Sequence, residues 1–166
     1  MKAFISAILF CVFASFSSDG YSQAKWNSEI PKQLIIIKST KSYEEALATA
    51  KEAAKRLDKK LDLRGLKPNA KTGLSMSEAD CHGSGGSDDL GYPCYQARGD
   101  GSAENDDYIS VEYSNIYKGL TKGFYIVVAG ITDVSGPAAE KQLAQVKQGY
   151  SDAYGKRTMI WYGNMN

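Results

Sequence analysis

The chain has 166 residues, with 20 lysines and arginines against 19 aspartates and glutamates, 43% hydrophobic residues and 23% charged ones. That length suits one domain with a hydrophobic core, and the composition excludes a wholly disordered chain. A net charge of +1 argues against a nucleic-acid binder and against long-range steering of a charged ligand.

The first 24 residues read as a secretory signal. Met1-Lys2 precedes an uncharged run from Ala3 to Ala14, too short for the roughly 20 apolar residues of a membrane span. Ser22-Gln23-Ala24 then sets small residues before a cleavage site after Ala24. The mature protein is expected in the periplasm or secreted, with no membrane span. Export removes Cys11 and leaves Cys81 and Cys94, an even pair in an oxidising compartment, so a disulfide is expected. Closing so short a loop contributes about 3 kcal/mol in the chain-entropy model. His82 is the only histidine, and its adjacency to Cys81 is not zinc-ligand spacing. Neither a metal nor a cofactor is expected.

Residues 26–31 read as a lead-in. Gln33-Leu34-Ile35-Ile36-Ile37-Lys38 is then a β-branched run with apolar residues at adjacent positions, the pattern of a strand central in a sheet or buried on both faces. Ser42, with Glu45 three residues on, predicts a capping box. Over 43–60, Ala46, Leu47, Ala50, Ala53, Ala54 and Leu57 recur at helical spacing, with Lys51, Lys55, Arg56, Lys59 and Lys60 outward, where they suit the helix dipole. Residues 61–64 alternate like a short strand. Between 66 and 107, Gly, Ser, Asp and Asn dominate; the segment reads as a long inserted loop without a core, pinned near its middle by the disulfide. Over 108–113, Ile109, Val111 and Tyr113 alternate with Ser110 and Glu112 in strand period. Residues 124–130 make a second buried-strand run. Pro137 opens a helix with the stripe Ala139, Leu143, Val146 and Tyr150, ending near Gly149, and 154–162 read as a closing strand.

The order strand, helix, strand thus occurs twice, at 34–38, 43–60 and 61–64 and again at 124–130, 137–149 and 154–162. Two such halves sharing one sheet give an α+β fold, a βαββαβ two-layer sandwich with its helices on one face. The 66–107 insert separates the halves within a single domain spanning 25–166. This topology in an exported chain resembles the SPOR (sporulation-related repeat) domain, whose sandwich is ferredoxin-like. Tyr125-Ile126-Val127-Val128-Ala129-Gly130-Ile131 lines up with the family's strand, Ala138-Ala139-Glu140-Lys141-Gln142-Leu143 with the start of its helix, and Asp152-Ala153-Tyr154 with the entry to its last strand. Val128 stands where the family has glutamine and Ile131 where it has serine, and the first half lacks the family's glycine. The resemblance implies binding of peptidoglycan glycan strands on an exposed sheet face.

Catalytic signals are sparse. His82 precedes Gly83-Ser84-Gly85-Gly86-Ser87, yet no Gly-x-Ser-x-Gly elbow follows a strand. Asp88 and Asp89 are adjacent on a loop that does not fix the separation glycosidase chemistry requires. Asp100, Glu104, Asp106 and Asp107 offer oxygen ligands without EF-hand spacing, and a solvated loop is the expectation for them. Tyrosine, an apolar ring with a polar tip, suits stacking on sugars at a wet surface. Tyr92, Tyr95, Tyr108, Tyr113 and Tyr125 are therefore the candidate binding residues, although Tyr108 and Tyr113 fall on opposite faces of their strand. The expected function is a non-catalytic, exported cell-envelope binding module whose partner is peptidoglycan or an envelope protein. The alternative is a secreted inhibitor or immunity-type protein that presents the Cys81–Cys94 loop to a partner enzyme.

Overall fold

A computed structural model of the chain describes residues 29–83, 90–101 and 105–161. The expected signal sequence, Cys11 included, lies outside them, as do Glu104 and most of the Gly- and Ser-rich stretch after His82. The described residues form a mixed α and β fold built on a four-stranded antiparallel sheet and three helices.

The first strand, β1 (Glu29–Thr40), begins earlier than its β-branched run: the expected lead-in at Glu29, Ile30 and Pro31 already pairs with Trp161, Ile160 and Met159. Helix α1 (Tyr43–Arg56) starts where Ser42 Oγ accepts the Glu45 N–H at 3.2 Å. The reciprocal half of the capping box is replaced by a relay. Thr40 Oγ1 accepts the Ser42 N–H at 3.2 Å, and the Glu45 carboxylate takes the Thr40 hydroxyl and Lys38 Nζ. The helix stops short of Lys60 because Asp58 adopts a φ of 50°, a left-handed backbone that ends the intrahelical ladder.

A hairpin of β2 (Lys67–Asn69) and β3 (Gly73–Ser75) follows, then α2 (Glu78–His82), a single turn capped by Ser77. Strands β4 (Ser110–Tyr113) and β5 (Tyr125–Asp133), helix α3 (Pro137–Gly149) and strand β6 (Tyr154–Trp161) complete the chain. The sheet order is β4-β5-β1-β6, every neighbour antiparallel. The strands that α1 and the insert join, β1 and β4, have β5 between them; those that α3 joins, β5 and β6, have β1 between them.

The second strand of the first half is therefore β4, which pairs with β5, and not residues 61–64. Leu61 contributes one parallel bridge to Ile109, and the chain then turns away through Arg64 and Gly65, at φ 53° and 68°. The 108–113 segment instead has alternating side chains and four consecutive backbone partners on β5.

One face of the sheet carries Ile35, Ile37, Val111, Val127 and Ala129 against Ala46, Ala50 and Ala53 of α1 and Val146 of α3. The other face is also buried. Leu34 and Ile36, Ile126, Val128 and Ile131, and Ile160 pack with Ala97 and Tyr117, which lie outside the sheet strands, with Leu120 and Phe124 at the margin. Both Cys81 and Cys94, bonded to one another with Cα atoms 5.6 Å apart, are buried as well. The 66–107 segment thus supplies core, against the expectation that it would not, because Leu66, Leu74, Cys81, Cys94 and Ala97 turn inward between its polar residues.

Two bulges adjust the central pair. Ala129 is the extra residue in β5 and Ile37 the extra residue in β1, between the pairings Ile35 with Gly130, Ile36 with Val128 and Lys38 with Val127. Each bulge reverses side-chain parity beyond it, so Ile131 shares a face with Val128 and Ile126, and Ser39, opposite Ile126, shares it too.

Gly73 shows how closely the hairpin is seated. At φ +77°, a Cβ there would stand 2.3 Å from the Tyr113 ring, and the Tyr125 hydroxyl donates to its carbonyl at 3.0 Å. Gly73→Ala is expected to destabilise the fold by about 2 kcal/mol through backbone strain and overpacking. Urea unfolding checks this, and an unchanged midpoint would refute it.

Candidate functional site

Strand alternation sets Ser110 and Glu112 on the face away from the helices, where solvated polar side chains would ordinarily stand. Both are instead fully buried, and they anchor the insert. Arg98, also fully buried, uses all five guanidinium N–H groups. Nε donates to Asp106 Oδ2 at 2.9 Å and Nη2 to Asp106 Oδ1; Nη1 donates to Ser110 Oγ at 3.0 Å and to the Val128 carbonyl at 3.1 Å; Nη2 also donates to the Tyr108 carbonyl at 2.8 Å. The Tyr108 ring lies over the guanidinium, 3.6 Å from Cζ to centroid.

Next to it, Glu112 Oε2 accepts three donors: Arg64 Nη2 at 2.6 Å, the Tyr95 hydroxyl at 2.6 Å and the Tyr117 hydroxyl at 3.0 Å. The phenol oxygens in turn accept backbone N–H groups, that of Tyr113 on Tyr95 and that of Arg98 on Tyr117. Buried ion pairs add little net stability when satisfied, but removing one partner costs about 3–5 kcal/mol. The network therefore fixes the insert in one position on the sheet.

Most of the candidate tyrosines are used inside the molecule. Tyr95 and Tyr108 belong to this network. Tyr113 and Tyr125 make a tilted ring contact with centroids 5.0 Å apart, and Tyr125 meets Tyr43 edge-on at 5.6 Å, on the helix-bearing side. Of the five, Tyr92 stands out in solvent, 49% exposed. The structure does not gather them into one platform. The acidic residues of the loop likewise disperse: Asp106 goes to Arg98, Asp107 to Lys59, and Asp100 accepts the Trp161 N–H at 3.2 Å. Among the described residues no group of three or more His, Cys, Asp or Glu side chains could hold a metal. His82 ends α2 at the surface.

The face away from the helices is not wholly covered. Past the edge of the insert, a groove of about 270 Å³ is lined by Ser39 of β1, Ile126 of β5, Tyr154 and Lys156 of β6, and Leu120, Thr121 and Phe124 of the segment between β4 and β5. Its floor is apolar at Ile126, Phe124 and Tyr154 are among its walls, and Ser39, Thr121 and Lys156 are exposed. Ser39 Oγ and Tyr154 Oη share a hydrogen bond at 3.2 Å. The β6 register places Tyr154 opposite Ile36 and Lys156 opposite Leu34, which aims both at this face. Tyr154 and Phe124 had been legible only as strand residues, and Ser39 depends on a bulge that the sequence does not announce. The one local signal is polar Lys156, two residues after Tyr154, where a buried strand would continue apolar. An aromatic pair with hydroxyls and an ammonium has the chemistry to bind a ligand that is part apolar and part polar.

Comparison with family models, with curated proteins and with solved structures finds no match to the chain.

The buried phenols give the network a pH signature. Burial first, and the Glu112 charge after it, lift the Tyr95 and Tyr117 hydroxyls well above their ordinary 10.0. The unfolded chain loses these protons near pH 10 while the native state keeps them, so the stability they contribute is complete below pH 10 and is lost as pH rises beyond it. In an alkaline titration followed by ultraviolet absorbance, Tyr95 and Tyr117 should ionise only in a cooperative step that also abolishes near-UV circular dichroism. Ionisation of every tyrosine near pH 10 with the fold intact would contradict this.

Proposed function

We propose that this chain is an exported, non-catalytic binding module of the cell envelope, and that its ligand is a glycan held in the groove of Ser39, Phe124, Tyr154 and Lys156. The observation that carries the reading is the groove itself. Two aromatic walls and an apolar floor suit the C–H faces of a sugar ring, and the hydroxyls at its edge suit the ring's own hydroxyls. It opens on the sheet face away from the helices, the kind of surface that SPOR domains use. We read the interleaved strand order β4-β5-β1-β6, with α1 and α3 against one face, as a SPOR-like and ferredoxin-like sandwich enlarged by the insert. A disulfide, and the absence of any helix among the described residues long and apolar enough to cross a membrane, are in keeping with export.

The mature chain should sediment with purified peptidoglycan sacculi, and Tyr154→Ala should weaken that binding about tenfold, the equivalent of about 1.4 kcal/mol. Tyr154 is 43% exposed, so its truncation leaves the core intact. Absence of sedimentation across a range of salt concentrations overturns the reading.

A second reading has its own observation. Leu90 and Tyr92 are two of the five exposed large hydrophobic side chains among the described residues, and both lie between the disulfide cysteines. The ends of their segment are tied down: the Leu90 N–H donates to the Cys81 carbonyl and the Met76 N–H to the Cys94 carbonyl, each at 3.0 Å. This favours an inhibitor or immunity-type protein that offers a held apolar loop to a partner enzyme. Reducing the disulfide should then abolish partner binding while far-UV circular dichroism persists; binding that survives reduction counts against it.

A further inference from the structure

The groove is charged on one side only. Lys156 is among its lining residues and no carboxylate is. A second lysine approaches from β1's end of the groove, where Lys41 Nζ sits 3.9 Å from the centroid of the Phe124 ring. Other lysines of the fold have acceptors of their own: Lys38 pairs with Glu45, Lys32 with Asp133 and Lys118 with Glu29, and Lys122 donates to the Asn115 and Tyr117 carbonyls. Among the described residues no ion pair joins Lys41 or Lys156 to a carboxylate. Lys156 also has a fixed direction, because its strand register turns it to the same side as Tyr154. A ring stacked on Tyr154 therefore sets its substituents beside an ammonium that has no anion of its own. With a net charge of +1 the whole molecule attracts anions only weakly, so any preference has to arise inside the groove, within the roughly 10 Å over which such charges act at 0.1 M salt.

We propose that the groove selects saccharides that carry a carboxylate over neutral ones, with Lys156 the specificity-determining residue and Lys41 reinforcing it. The inference rests on the glycan reading above and adds the chemical class of the sugar. Stacking on Tyr154 and Phe124 supplies affinity that neutral and acidic rings share. The charge-assisted hydrogen bond from Lys156 Nζ to a sugar carboxylate supplies the difference, discounted for solvent at an exposed side chain.

Isothermal titration of the disulfide-intact mature chain with two matched probes tests this. One is a tetrasaccharide of alternating N-acetylglucosamine and N-acetylmuramic acid with free lactyl carboxylates, and the other is its methyl ester. The acid should bind about fivefold more tightly at low salt. Lys156→Gln should bring the ratio close to one and Lys156→Arg should restore it, while Tyr154→Ala weakens both probes and keeps the ratio. Equal binding of acid and ester to the unaltered chain overturns the inference and leaves the glycan reading standing, as does a ratio unchanged by Lys156→Gln. Failure of both probes to bind overturns the glycan reading and this inference with it. Near-UV circular dichroism of each variant confirms that the fold is retained.

Discussion

A guanidinium taken out of water needs an acceptor for every N–H and an anion for its charge. Arg98 finds all of them, and the acceptors come from distant parts of the chain: Asp106 and Tyr108 from the insert and its exit, Ser110 from β4, and the Val128 carbonyl from the middle of β5. Glu112 performs the same service beside it for Arg64, Tyr95 and Tyr117. Hydrogen bonds of this kind add less net stability than apolar packing does, but they are directional and unforgiving of misplacement. They determine where the insert lies. Once it lies there, Ala97 and Tyr117 close the second core on Leu34, Ile36 and Val128, and the sheet ceases to be one-sided.

What remains of that face is the groove. Its existence follows from two local facts, that the cover ends at Leu120 and Phe124, and that the β1 bulge at Ile37 turns Ser39 to the same side as Ile126. Without the bulge, Ser39 would face the helices and the groove would lose its hydroxyl partner for Tyr154. A bulge that re-aims one side chain beside a concave surface is a familiar way of building a site on a regular sheet. The disulfide acts further off, holding the segment that carries Leu90 and Tyr92 against the body of the fold.

Much of the framework was legible in the sequence, because the signals are local. Alanines at helical spacing marked α1, Pro137 opened α3, and uninterrupted β-branched runs marked β1 and β5. The errors came where a local pattern competed with tertiary pairing. Residues 61–64 alternate as a strand should, but Arg64 takes a left-handed backbone and reaches Glu112, so the edge position passes to β4. Composition could not separate the candidate tyrosines by environment: Tyr92 stands in solvent, whereas Tyr95, with Tyr117, is a hydrogen-bond donor that the buried carboxylate of Glu112 requires.

By itself the sequence determined the two long helices, the four strands of the main sheet and the pairing of Cys81 with Cys94, since periodicity, capping and cysteine parity are properties of neighbouring residues. Tertiary structure alone decided that the glycine-rich insert is part of the core, that Glu112 points into it, and that the uncovered part of the sheet face narrows to a groove at Tyr154. These depend on contacts between residues far apart in the chain: Arg98 with Val128, Tyr117 with Arg98, Ser39 with Tyr154. No local pattern records such contacts, because each residue's partner is chosen by the packing of the whole sheet.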